Sequence, residues 1–466
     1  MEINAPDLAE FDGTAQQNFS TGNRVGEIAK QIFGPGPDIS PDNNLAEALA
    51  ETAEIIESDY TGPIYEATFQ AGGVLVRVDV LVKSPNGYDM IEVKASTKVK
   101  ENVHLPDCTI QAWVLEQAGL TVRSVGLGHI NNEFVYQTEK DYRGLLKVAD
   151  VTKSVESLTR EVPRWIGDAT DALSFEEPNV APSSHCRSPY DCPFLEHCAP
   201  FDPDKFPISI LGSNTRIAKD LVSEGVEDVR DVESPHGFSK RQDAIWRATT
   251  SGEIWFEQNQ IQQLKDLSYP RYYLDFETVA FAVPEWIGTR PYQPIPFQWS
   301  CHVENPTGEA VHLEYLHDGA DLPARGTAEA LIDAMGSEGP ILMYTSYERR
   351  CIQILADLCP DLSDKLEALI PRLFDMHPIV RNGYYHKDMR GSSSIKKVLP
   401  TIPTTASYET VGDISHGGAA AAAYEELLDD ALNPEDRKKI RDDLEAYCHL
   451  DTLAMLEVAL HLTSQV

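Results

Sequence analysis

Hydrophobic spacing changes period several times along the chain, and each change marks an element. Val25, Ile28, Ala29, Ile32 and Phe33 recur at helical spacing, as do apolar positions from Leu45 to Ile56, which predicts amphipathic helices with a solvated face. From Ile64 the period becomes that of strands, in YEATF, VLVRVDVLV and YDMIEVKAS, and SPNG between the last two supplies turn chemistry for a hairpin. A helix is expected from about Thr109 to Gly119, then a strand pair from Arg123 to Gln137, then a charged helix. EEPNVAPSSHCRSPYDCPFLEHCAPFDPDKFP is loop-like and rich in Pro and Cys, and it sets the first boundary near residue 203.

Residues 205 to 268 carry short helical patterns (RIAKDLVSEGV, RQDAIWRATTSG, QIQQLKDL) and few strand signals, which suits a small helical connector. RYYLDFETVAFAVP then opens a buried strand, and PFQWSCHV, HLEYLH and GPILMYTS continue the strand signals with helices between them. The expected class is α/β in three parts: residues 1–203, a connector over 204–268, and 269–466.

Composition is that of ordinary soluble globular domains, with 42% hydrophobic and 24% charged residues among 466. No apolar run approaches the roughly 20 residues that span a bilayer, and the first residues, MEINAPDLAEFDG, are acidic where a signal peptide is basic and then apolar. The expectation is a cytoplasmic protein without a membrane partner, whose eight Cys serve as metal ligands or plain thiols. The net charge of −35 argues against a polyanion-binding surface over the whole molecule. It is unevenly spread. Residues 1 to 60 hold 12 acidic and 2 basic side chains, a net −10, while residues 61 to 100 sum to +1 from five basic and four acidic groups.

Asp79 lies on an alternating strand, and twelve residues intervene before Glu92-Val93-Lys94, whose alternation puts Glu92 and Lys94 on one face of the next strand. Two carboxylates and an ammonium converge there, and carboxylate oxygens are the hard ligands that Mg²⁺ prefers. A solvated strand face is the plain alternative. The D-x₁₂-E-x-K arrangement resembles the PD-(D/E)XK nuclease core. RecB-like and CRISPR-associated members of that superfamily share a Gln-x-x-x-Tyr motif on the following helix; here Gln111 is present as an expected DNA contact, and Leu115 stands where the Tyr would be. Glu66, one strand earlier, is a further candidate metal-facing carboxylate.

Cys186, Cys192 and Cys198 are spaced C-x₅-C-x₅-C in the Pro-rich loop, a clustering that suggests thiolate ligation. RecB-like nucleases with a 4Fe-4S cluster place three Cys after the nuclease core and a fourth before it, and this chain resembles them at the C-terminal end. No Cys occurs between residues 1 and 107, although FSTGNRVGEIAKQIFG resembles the segment that follows the upstream Cys, so a shortened N-terminus is expected. His185 and His197 keep a Cys₃His zinc site open, and unligated thiols are the third alternative; Cys108, beside Asp107, is a poorer candidate ligand.

LDFET puts Asp275 and Glu277 on one face of an otherwise apolar strand, an expensive arrangement in a core unless both acids bind metal. Near the C-terminus, EAYCHLDTLAMLEVALHL reads as a helix in which Tyr447 and Asp451 share a face. An Asp-x-Glu strand followed far downstream by Tyr-x-x-x-Asp resembles the DEDD exonucleases of the DnaQ-like, RNase H-like superfamily, in the Tyr-bearing branch. The further carboxylate of that family matches Glu348 after Tyr347, with Glu in place of Asp, and Asp375 is the runner-up. The resemblance implies two-metal phosphodiester hydrolysis with Mg²⁺ or Mn²⁺, in which Asp275, Glu277, Glu348 and Asp451 hold the ions and Tyr447 orients the attacking water.

Residues 381 to 400, RNGYYHKDMRGSSSIKKVLP, have five basic and one acidic side chain, a net +4. Lys396 and Lys397 among them, with Tyr384 and Tyr385, suit single-stranded nucleic acid through phosphate neutralisation and base stacking; a solvated loop with packed tyrosines is the alternative. With GSSSIKKVLP, YETVGDISHGGAAAAAY, AYCHLDTLAM, YLDFETV and PFQWS, the chain resembles over nearly its whole length a little-characterised bacterial and archaeal family that joins a RecB-like nuclease to a DnaQ-like domain. That resemblance implies a nuclease acting on DNA ends or single strands, DNA rather than RNA, in repair or defence. The rival is a nucleic-acid-binding scaffold whose sites have decayed, or an enzyme acting on another phosphoester.

Overall fold

A computed structural model describes residues 5–9, 13–39, 44–174, 182–410, 414, 416–429 and 431–466. Residues 176–181 of the expected loop, and 411–413 and 415 of YETVGDISHGG, lie outside them. The chain divides into two compact units, Met1–Phe201 with Ala280–Gln293, and Asp202–Val279 with Pro294–Val466. The class is mixed α/β, and among the described residues no helix is long and apolar enough to cross a membrane.

In the first unit α1 (Gly13–Phe33) and α2 (Leu45–Glu57) precede three antiparallel strands, β1 (Pro63–Ala71), β2 (Val74–Ser84) and β3 (Gly87–Lys94). Helix α3 (Glu101–Gln117) carries the chain over to β4 (Val122–Ile130), which runs parallel to β3, and β5 (Leu146–Asp150) pairs antiparallel with β4. Helices α4 (Thr152–Leu158), α5 (Val162–Ser174) and α6 (Leu195–Cys198) follow. Alternation on β2 is the cause of the site described below: Val76, Val78 and Val80 are buried, whereas Arg77 and Asp79 turn to the other face. Helix α3 starts earlier than the expected Thr109, with Pro106 accommodated in its second turn. The second strand expected before Gln137 begins at Leu146 instead.

In the second unit α7 (Arg216–Ser223), α8 (Lys240–Ser251), β6 (Trp255–Phe256) and α9 (Gln258–Lys265) lead to an antiparallel meander of β7 (Arg271–Val279), β8 (Ile295–Glu304) and β9 (Ala310–Leu316). Helix α10 (Ala324–Ala334) returns to β10 (Ile341–Met343), and α11 (Tyr347–Leu358) and α12 (Ser363–Glu367) return to β11 (Leu373–Asp375). Both returning strands are parallel to their neighbours, so the order is β11-β10-β7-β8-β9 with β7 central. Helix α13 (His377–Gly383), β12 (Tyr384–Tyr385), α14 (Ile395–Val398), α15 (Gly417–Leu427) and α16 (Pro434–Thr463) complete it.

Two departures from the expected three parts have a physical cause. The short connector helices are too small to bury their apolar faces alone, and Phe206, Ile208, Val229 and Ile245 share one core with Val380, Tyr384, Tyr385 and Val458. Residues 280–293, expected to continue the third part, belong to the first unit, where Ala282 and Val283 pack with Val25, Ile28, Ile130 and Leu145.

The same core corrects the expected role of Tyr384 and Tyr385. Both rings have 0% exposure. The Tyr384 hydroxyl lies 2.9 Å from Thr401 Oγ1, and the Tyr385 ring lies 4.7 Å beneath the Arg241 guanidinium. Neither can stack on a base. One arginine of the basic segment is also used internally: Arg390 donates to the carbonyls of Pro203 and Lys205 and covers Phe206. Tyr384→Ala should therefore cost about 3–5 kcal/mol in urea unfolding, as large aromatic truncations in cores do; a loss below about 1 kcal/mol would contradict the burial.

Candidate active sites

On the first unit's sheet, Asp79 comes from β2, Glu92 and Lys94 from β3, and Gln111 from α3, the four positions singled out in the sequence. The Val93 amide donates to Asp79 Oδ2 at 2.6 Å, fixing that carboxylate beside the ExK strand. Lys94 Nζ donates to Glu92 Oε1 at 2.7 Å and pairs with Asp107 Oδ2 at 2.8 Å. Gln111 Nε2 donates to Glu92 Oε2 at 2.8 Å and to Asp107 Oδ1 at 3.3 Å, leaving its own buried Oε1 without a partner. Gln111 thus serves the carboxylates, and Leu115 is core. Burial, Glu92 and Glu66 together push the Asp79 carboxyl well above its ordinary range. Burial raises Glu92 too, with Lys94 opposing, and on Lys94 itself the two carboxylates outweigh burial and hold the ammonium charged. Glu66 adopts φ of 53°. Its neighbours Tyr65 and Ala67 pair with Val80 and Val78, so it stands across from Asp79.

The second site sits on the central strand of the other sheet. Asp275 and Glu277 of β7 and Cys448 of α16 bring ligand atoms within 4.8 Å of one another. Glu348, in the first turn of α11, hydrogen-bonds Asp275 and leaves Oε2 buried without a partner. Asp451 of α16 accepts from the Tyr408 hydroxyl at 2.5 Å and hydrogen-bonds Tyr447. Burial, then Asp451, Glu277 and Glu348, push Asp275 well above the ordinary range. Burial and Asp451 push Glu277 up to about 8, and burial pushes Glu348 up to about 7. Lys396 Nζ donates to the Tyr447 hydroxyl at 2.9 Å and lies over the Tyr447 and Tyr408 rings at 4.8 and 5.3 Å. Asp375 accepts the His377 amide at 2.9 Å, a turn-capping role, while its charge also reaches Glu348. Lys397 is exposed.

A cleft of about 500 Å³ opens on these groups, lined by Asp275, Asp451, Lys396, His377, Thr345 and the Ser392–Ser394 run. Thr345 holds φ of 127°, strained for a β-branched residue and located at the cleft wall. Behind the carboxylates, β8 turns Gln298, Ser300, His302 and Glu304 inward, all buried. Ser300 is opposite Asp275 in register, and Thr452 follows Asp451; their hydroxyls meet at 2.8 Å, and His302 Nδ1 meets Thr452 at 2.8 Å. These bonds, with Gln298 Nε2 donating to the Leu444 carbonyl at 2.9 Å, lock α16 onto the sheet.

Residues 272–394 match the profile of a domain of unknown function (DUF2779). The DUF2779 segment carries Asp275, Glu277, Glu348 and Asp375, while Lys396, Tyr408, Tyr447 and Asp451 lie beyond it. No curated protein and no solved structure matches the chain.

The donor sets differ in how well they suit a metal. Both carboxylate groups are oxygen-rich and repel themselves, and Glu348 keeps an orphaned oxygen, so a divalent cation fits. Among the described residues, Cys186, Cys192 and Cys198 join no group of three His, Cys, Asp or Glu whose ligand atoms lie within 4.8 Å of one another. Cys108 is a core thiol that burial pushes up to about 12.

Tyr408 opens YETVGDISHGG, a stretch that assigned its hydroxyl no role, and Asp107 belonged to no motif. The one sequence signal for Asp107 is its position four residues before Gln111 on a shared helix face.

Glu277 and Glu348 bind protons more tightly folded than unfolded, where their ordinary value is 4.5. Their contribution is present below pH 4.5 and is lost as pH rises through about 7 and 8. The metal-free protein should therefore lose thermal stability from pH 5 to pH 8, and Mn²⁺ should restore it. Glu277→Gln should flatten that slope in calorimetric scans, and an unchanged slope would refute the assignment.

Proposed function

We propose that the protein is a divalent-metal-dependent nuclease that hydrolyses phosphodiester bonds of DNA at ends or in single strands, with one reaction centre in each unit. The observation that carries this is the gathering of the buried acids Asp275, Glu277, Glu348 and Asp451 at one end of the sheet, where burial holds their protons tightly and neighbouring acids add repulsion at Asp275 and Glu277. A group of this kind is unstable without a cation, and the cost is understandable where a cation is part of the function.

Asp275, Glu277, Glu348 and Asp451 would hold divalent ions in the second unit, and Asp79 and Glu92 in the first. A bound Mg²⁺ or Mn²⁺ supplies charge that acidifies water and offsets the phosphate oxygens. The chain's own groups do the rest. Tyr447, bonded to both Lys396 and Asp451, is placed to orient a water beside the carboxylates. Lys396 faces the cleft and offers the phosphate a positive partner, while the Ser392–Ser394 run offers hydroxyls. In the first unit Lys94 orients the attacking water next to Glu92. The β3-α3-β4 crossover supports a PD-(D/E)XK assignment for the first unit, and the five-stranded sheet with the α16 carboxylate supports an RNase H-like one for the second. With Tyr384 and Tyr385 in the core, base stacking is left to other groups and binding is chiefly electrostatic, hence strongly salt-dependent.

The test is hydrolysis of 5′- and 3′-labelled DNA and RNA with Mg²⁺ or Mn²⁺. Asp275→Ala should cut 3′-end trimming by about 100-fold or more, and Asp79→Ala should do the same to the remaining cleavage. Parental activity in the double variant would remove the proposal.

A further inference from the structure

The first site contains a closed ring of hydrogen bonds that the Asp-Glu-Lys pattern does not require. Glu92 and Asp107 each engage both oxygens. One oxygen of each accepts from Lys94 Nζ, at 2.7 and 2.8 Å, and the other accepts from Gln111 Nε2, at 2.8 and 3.3 Å. The two carboxylates differ in their surroundings: the Glu92 side chain is 6% exposed and that of Asp107 is 41% exposed. Each Glu92 oxygen already accepts one hydrogen bond, so a divalent ion that binds Glu92 competes with Lys94 or with Gln111 for that oxygen. Asp107 keeps hold of whichever donor is released.

We propose that Asp107 is a positioning residue: it retains the Lys94 ammonium, and with it the Gln111 amide, when a divalent cation takes over the Glu92 carboxylate. This rests on the first site being hydrolytic. Without Asp107, Lys94 loses its second anchor when the ion binds and is free to rotate on its four-carbon stem, away from the water it orients. Asp107 is not itself a ligand, because it reaches the site only through Lys94 and Gln111. Asp107 stands on the exposed side of the ring and Lys94 keeps its pairing to the buried Glu92, so loss of Asp107 costs the fold little and is readable as function.

The experiment uses the full-length chain in an Asp275→Ala background, so that first-unit cleavage is observed alone, and compares Asp107→Asn, Asp107→Glu and Asp79→Ala. The readouts are kcat and KM on a labelled single strand and Mn²⁺ affinity by calorimetry. Asp107→Asn should lower kcat about 10 to 100-fold, the scale of outer-shell partners. KM and Mn²⁺ affinity should stay within about twofold, and Asp107→Glu should recover a good part of kcat. A fall in Mn²⁺ affinity parallel to kcat would make Asp107 a ligand and overturn the proposal. Unchanged kcat in Asp107→Asn, with Asp79→Ala inactive, would overturn it while leaving the hydrolytic site standing. Absence of any Asp79-dependent cleavage would remove the hydrolytic site and the proposal together.

Discussion

Like-charged carboxylates crowded on the central strand of a sheet are the constraint around which the second unit is organised. A lone ionised acid in a dry core costs several kcal/mol, and here Asp275, Glu277, Glu348 and Asp451 meet within reach of one another. The fold keeps them from separating in two ways. The acids come from three elements, β7, α11 and α16, none of which can shift without disturbing the core behind it. And α16 is held to β8 by Ser300, His302 and Gln298 rather than by apolar contact alone. A greasy interface tolerates sliding; hydroxyl and imidazole pairs accept one register. Asp451 and Tyr447 face Asp275 with α16 held at Thr452 by both Ser300 and His302.

The first unit solves a similar problem with a cation of its own. Lys94 offsets part of the charge of Glu92 and Asp107, so the resting site is a polar ring closed by an ammonium, whereas the second site crowds its acids beside a single Lys396, which donates to Tyr447. In the first unit a metal competes with an ammonium for a carboxylate oxygen; in the second it relieves repulsion between acids. The net charge of −35 is in keeping with both, since it raises the local concentration of divalent cations while discouraging nucleic acid elsewhere on the surface.

Much of this was legible along the chain wherever a short-range rule applied. Alternation placed Asp79 opposite the core-facing valines, paired Glu92 with Lys94, and put Asp275 with Glu277; helical spacing put Tyr447 with Asp451. It failed where burial depended on distant segments. Tyr384 and Tyr385 sit in a stretch rich in Lys and Arg and read as surface groups, yet the connector helices cover them, and Arg241 from α8 caps one ring. The Ala280–Gln293 stretch follows a strand of one unit and packs in the other, which no local pattern reveals.

Sequence alone therefore determined which acids share a face, because side-chain direction along a strand or helix is set by backbone geometry over a few residues. The tertiary structure alone decided which faces meet. Glu348 joins Asp275, Tyr408 reaches Asp451 and Asp107 closes the ring on Lys94 across separations that periodicity does not span. Those contacts are set by sheet order and helix register, quantities fixed by the packing of the whole core.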